Sequence, residues 1–248
     1  MNKIKHKFKI FIIPILFILL WEIIARSSNS PVYFPPVSLI IGKLISLLGT
    51  SDFIIHCSIT IYRCFIGFFI ATLIAVPLGI ILGANKKIYQ FFHFIIEFFR
   101  PLPSASVIPI AILFLGIDDT MKIFVILFGS LWPILINTID GVIGIEPQFL
   151  KTAKVFNINQ GRILKNVIFP SILPQIFTGL KISVAISLIL AITVEMIVGG
   201  NGIGFFILDS ERSFQFVDMY AGVLMIGILG YLINVLFLKL EKWVIFWR

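Results

Sequence analysis

Six stretches of this chain are apolar for long enough to need a bilayer, and that need constrains everything else. They run over residues 8–25, 54–84, 91–115, 123–143, 172–198 and 219–238. An α-helix must supply about 20 apolar residues to cross the hydrocarbon layer. In lipid every backbone N–H and C=O must be bonded internally, which favours helices for runs of this kind. With a mean hydropathy of +1.08 and 13% charged residues, a soluble domain could not hide the apolar surface. The expected fold class is therefore an all-α polytopic membrane protein with about six transmembrane helices and no room for a separate soluble domain. The expected divisions are 1–52, a first helix with an external segment, 53–242, the main transmembrane domain, and 243–248, a short tail. The second run exceeds what a bilayer needs, so its first turns are expected to tilt or protrude.

A net charge of +8 would suggest nucleic acid in a soluble protein, but here its placement gives topology instead, with no nucleic-acid partner. Thirteen cationic residues fall in the tails and loops of one parity: Lys3, Lys5, Lys7 and Lys9, then Lys86 and Lys87, then Lys151, Lys154, Arg162 and Lys165, then Lys239, Lys242 and Arg248. Four fall in the other parity: Arg26, Lys43, Lys122 and Arg212. The bias places both termini and the 148–174 loop in the cytoplasm. A basic start before an apolar run also describes a signal peptide, yet Trp21 and Glu22 interrupt that run and no small-x-small site precedes Arg26. An uncleaved first span is expected. Cys57 and Cys64 share one helical face, too far apart to bridge, and read as small core residues.

The 148–174 loop is polar, basic and helix-forming. Glu146-Pro147 suits a helix start, and Phe149, Ala153 and Phe156 then follow one face. Asn157 is placed to end that helix and Asn159 to cap a second one through Arg162 and Lys165. Pro170 and Pro174 are expected to break or bend the approach to the fifth span. The product is two short exposed helices joined to a membrane helix. Physics alone leaves this open between a docking element for a soluble partner and an amphipathic loop lying on the bilayer.

Within the third span His93, Glu97 and Arg100 share a face. Arg100 either draws an anion along a translocation path or forms a self-neutralising pair with Glu97. Pro101 and Pro103 should kink that span as a pore wall or gate would need. Glu195, near the outer end of the fifth span, either orients the turn 199–204, lines an external vestibule, or is solvated at the interface. That turn, Gly199-Gly200-Asn201-Gly202-Ile203-Gly204, lacks dinucleotide-binding spacing and reads as a flexible external turn. No phosphate loop, nucleophile–base pair or metal spacing is present, so neither catalysis nor a cofactor is expected.

The loop resembles the EAA loop of bacterial ABC-importer permeases: Glu-Ala-Ala, three residues, Gly, nine residues, Ile-x-Leu-Pro. Here the same spacing reads Lys151-Thr152-Ala153, Asn157, then Val167-Ile168-Phe169-Pro170. Ala153 and Pro170 match by identity, while Lys151 reverses the charge of the family's Glu. Other segments are similar and in order: Phe34-Pro35-Pro36-Val37-Ser38, Arg100-Pro101-Leu102-Pro103, Phe114-Leu115-Gly116-Ile117, Trp132-Pro133 through Thr138, and Glu195-Met196 through Gly204. The similarity runs from about Pro31 to Trp247 and is nearest to the nitrate/sulfonate/taurine branch. It implies a multi-pass permease of the bacterial inner membrane, commonly a homodimer. A separate cytosolic ATPase would dock on Lys151, Thr152, Ala153, Asn157 and Pro170, and a periplasmic or lipid-anchored binding protein would deliver the solute. The competing class is a secondary transporter working alone, although no internal repeat supports it.

Overall fold

The computed structural model describes residues 2–27, 33–156 and 158–246. Its regular elements are all helical: α1 (Asn2–Ser27), α2 (Val37–Leu48), α3 (Ser51–Ala84), α4 (Lys86–Phe99), α5 (Ile108–Leu115), α6 (Asp119–Ile143), α7 (Pro147–Val155), α8 (Gln160–Ile163), α9 (Phe169–Val198), α10 (Ile203–Arg212) and α11 (Phe216–Val244). A short 3-10 turn (Ser104–Val107) precedes α5, and a π-helical stretch (Leu164–Ile168) joins α8 to α9.

The centre is a three-helix layer of α3, α6 and α9. On α3 the residues Gly67, Ala71, Ala75 and Gly79 recur every fourth position and are all buried. Small residues at this spacing let helix backbones approach closely where lipid offers no hydrophobic drive. A Cβ on Gly79 would lie 2.6 Å from Thr138 Cβ, and one on Gly67 would lie 2.6 Å from Ile126 Cγ2. Across the α6–α9 contact, a Cβ on Gly179 would meet the Pro133 carbonyl oxygen at 2.8 Å and Ile134 Cα at 3.0 Å. Cys57 and Cys64 are buried and unpaired, and Cys64 Sγ lies 3.1 Å from Ser187 Oγ.

One end of this layer is closed by a buried ionic cluster. Arg63 and Glu195 are both fully buried, with Arg63 Nη1 2.8 Å from Glu195 Oε1. Arg63 also donates from Nε to Asp119 Oδ1 at 3.0 Å and from Nη1 to the Asn201 carbonyl at 3.0 Å, and Nη2 reaches Asn201 Oδ1. Glu195 Oε2 accepts from Thr60 Oγ1 at 2.8 Å and from the Gly204 N–H at 3.1 Å. The Ile203 N–H donates to Thr60 Oγ1, the Gly202 N–H to His56 Nδ1, and Lys122 Nζ to the Gly199 carbonyl. The turn expected to be flexible is therefore tied by its own backbone to α3, α6 and α9. Its glycines are needed because Gly199, Gly200 and Gly202 have φ of 78°, 96° and 104°.

Among the described residues four helices are long and apolar enough to cross a membrane: α3, α6, the continuous 161–198 helix and α11. The third run is kinked, α4 and the Ser104–Leu115 helix being bent by 88°. Pro101 and Pro103 lie in that break, and counting the pair as one span gives five among the described residues. The apolar helix α1 stands apart from the bundle, its described side chains from Ile12 to Leu20 largely exposed. It is fastened at its far end, where Trp21 stacks on Phe34 and donates to the Pro35 carbonyl. Glu22 there accepts from both the N–H and the hydroxyl of Ser38. The segment after α1 is helical: α2 buries Ile40 and Leu44, and Lys43 pairs with Asp218 of α11 at 2.9 Å.

Two outcomes follow for stability in detergent. Gly179→Val should destabilise by about 1–3 kcal/mol, because backbone atoms of α6 cannot yield; unchanged thermal unfolding would refute that packing. Glu195→Ala should cost more than Glu195→Gln. The loss should lie toward the lower end of about 3–5 kcal/mol, since Asp119 still faces Arg63. Equal unfolding temperatures for the two variants would show that the pair is not what holds this end.

Candidate functional site

The segment between α6 and α9 is built for exposure. The Phe149 N–H donates to the Glu146 carbonyl at 3.1 Å, and Pro147 opens α7 where no N–H partner is required. The Ile158 N–H returns to the Ala153 carbonyl at 3.1 Å, a wrap that satisfies a terminal carbonyl at the helix end. Asn157 lies outside the described residues. Asn159 caps α8 as its position predicts, accepting the Gly161 N–H on Oδ1 at 3.1 Å.

Beyond α8 the chain departs from the sequence reading. Pro170 and Pro174 do not break the approach to α9; residues 161–198 form one helix. The π stretch supplies the reason at Pro170. The Phe169 N–H bonds to Leu164 O, five residues back, and this wider turn lies immediately before Pro170, which has no N–H to give. Pro170 then sits in the first turn of α9, where proline is tolerated. The end of α8 is thus continuous with α9.

Ala153 is only 3% exposed, so its small side chain lets the chain's own elements close and is not itself an outward knob. The outward apolar groups are Val155 at 79%, Phe156 at 73% and Phe149 at 53%. Lys151 and Thr152 are exposed beside them. Phe149, Thr152, Ala153, Phe156, Ile158 and Val167 line a concavity of about 460 Å³ with Glu146 and Gln148 at its edge.

The other expected site residues are divided between two places. Arg100 and Pro103 border a cleft of about 480 Å³ with Ser104, Trp132, Pro133, Asn137 and Ile186. Arg100 Nη1 lies 3.8 Å from Glu97 Oε1, with both side chains 55% exposed, so a weak intrahelical pair and access to the cleft coexist. Pro101 lies at the break between α4 and the 3-10 turn. Glu195 is not brought to this cleft; it is sealed in the ionic cluster and orients the 199–204 turn. Arg63 is the residue that sequence reasoning missed. Its signal was a lone cation inside the apolar run 54–84, a placement that demands a buried partner. Among the described residues no group of three or more His, Cys, Asp or Glu side chains could hold a metal.

Comparison with known proteins agrees with this architecture. Over 235 residues the chain is 29% identical to the nitrate import permease protein NrtB of Synechocystis sp., covering 92% of this chain and 86% of that protein. It is 26% identical over 228 residues to the taurine transport system permease protein TauC of Escherichia coli, covering 90% and 82%. Its fold matches a chain of the MetNI methionine ABC transporter, solved in inward-facing conformations, with a TM-score of 0.66 at 19% identity over 75% of this chain and 93% of that one. Residues 75–245 match the family of the binding-protein-dependent transport system inner membrane component. This chain belongs to that family and is a permease of the ABC-importer type.

Proposed function

We propose that this permease carries a small anion inward across the bacterial inner membrane, with both termini cytoplasmic, as one half of a homodimer. A separate cytosolic ATPase supplies the energy, and a periplasmic or lipid-anchored binding protein delivers the solute. The anionic cargo rests on similarity to a nitrate permease and a taurine permease. The cationic bias of the loops supports the orientation.

The observation that carries the coupling is the exposed apolar trio Phe149, Val155 and Phe156 close to an unbroken helix leading into α9. Apolar groups of this size held in water at the end of a lever are suited to a partner's cleft. Closure of the ATPase around nucleotide would push this segment, and α9, packed closely on α6 through Gly179, would transmit the displacement to the bundle. The nucleotide shifts the transporter only to the extent that the docked ATPase prefers one state over the other. Lys151, where the family pattern has Glu, would face an acid on this chain's own ATPase.

Phe156→Asp should reduce co-purification with the cognate ATPase at least about tenfold, roughly 1.4 kcal/mol, while leaving unfolding of the permease alone unchanged. ATP-driven uptake by proteoliposomes should fall with it. Uptake that persisted without ATP on an ion gradient would overturn the importer reading, and full binding by the variant would overturn the docking surface.

A further inference from the structure

The membrane helices differ in what they expose. Past Tyr62, the exposed positions of α3 are Phe65, Phe69, Leu73, Ile74, Pro77, Leu78 and Ile81, followed by Ala84 at its end, all apolar as a lipid-facing stripe should be. Helix α9 is buried on most of its circumference, and apart from Phe169 at its start the exposed positions over its first half are the stripe Ser171, Gln175, Thr178 and Lys181 with Ile182. Farther along, the same stripe continues as Ala185 and Ile189. Four polar positions following the helical repeat on a membrane helix are out of place against acyl chains, and a lysine at such depth costs about 2.5–3.5 kcal/mol on insertion scales. Lys181 has no hydrogen bond or ion pair among the described residues. The hydroxyls of Ser171 and Thr178 donate back to the Val167 and Pro174 carbonyls, so their oxygens remain free to accept.

Clefts between α6 and α9 flank this stripe. One, of about 240 Å³, includes Ser171 and Gln175 with Asp140 and Glu146. The other is the Arg100 cleft, which α9 reaches through Ile186 and α6 through Asn137. Lining thus passes from acidic at the loop end to cationic deeper in. We infer that the Ser171–Gln175–Thr178–Lys181 face of α9 is a water-lined half of the solute path, and that Lys181 is a specificity-determining cation for anionic cargo there. The inference rests on the permease carrying an anion, but the water-lined face can be tested without ATPase, binding protein or solute.

The test uses full-length protein carrying Cys57→Ala and Cys64→Ala, in membrane fragments open on both sides. Thr178→Cys and the lipid-facing control Leu73→Cys are treated with a membrane-impermeant anionic sulfonatoethyl methanethiosulfonate. Thr178→Cys should be labelled many-fold faster; equal rates would end the proposal of a wetted face. Next, the rate with the anionic reagent is divided by that with a cationic trimethylammonium analogue. Lys181→Gln should lower this ratio at Thr178→Cys at least about threefold, as expected for a single charge at short range in a partly wet site. Lys181→Arg should restore it. An unmoved ratio would remove Lys181 from the role while leaving the importer reading intact. Labelling as expected with no ATP-driven uptake by the wild type would instead count against the importer reading alone.

Discussion

A guanidinium and a carboxylate, both withdrawn from water, hold one end of the central layer. Two unpartnered charges at the burial of Arg63 and Glu195 would each cost several kcal/mol, so the helices carrying them must meet in one register. Glu195 fixes α9, Arg63 fixes α3, and Asp119 brings in the start of α6. The glycine turn after α9 is drawn into the same cluster by backbone N–H groups, which positions α10 and through it α11. The glycine contacts farther along α3, α6 and α9 work within that register, since sliding one helix would drive Thr138 or Ile126 out of the spaces that Gly79 and Gly67 leave.

This arrangement divides the molecule by bonding as well as by packing. The Arg63 end is cross-linked by directional bonds among four elements, while the opposite end carries exposed apolar groups on a short helix with few anchors. In the proposed mechanism the loop end is driven, and the ionic cluster stands at the other end as the fulcrum. The bent pair of α4 and α5 lies between these extremes, with Arg100 and Pro103 bordering a cleft near the break.

Much of this was legible in the sequence because it depends on local chemistry. Runs of apolar residues locate α3, α6, α9 and α11, and Asn159 caps α8 where its spacing places it. What sequence could not supply was partnership across distance. Arg63 and Glu195 are separated by 132 positions, and nothing local in either run names the other. Ala153 has the small side chain expected at a docking surface, yet its smallness serves an internal contact. Pro170 carries a strong local signal for a break, which the wide turn immediately before it absorbs.

That wide turn has a geometric consequence of its own. Five residues bonded in π fashion place one surplus residue in the winding, so the azimuth of α8 is out of phase with that of α9. Passing the surplus along the winding would turn only the residues it passes, while both ends keep their azimuth and the helix stays unbroken. A shift of the wide turn can therefore exchange the face that one stretch of this helix presents to its neighbours.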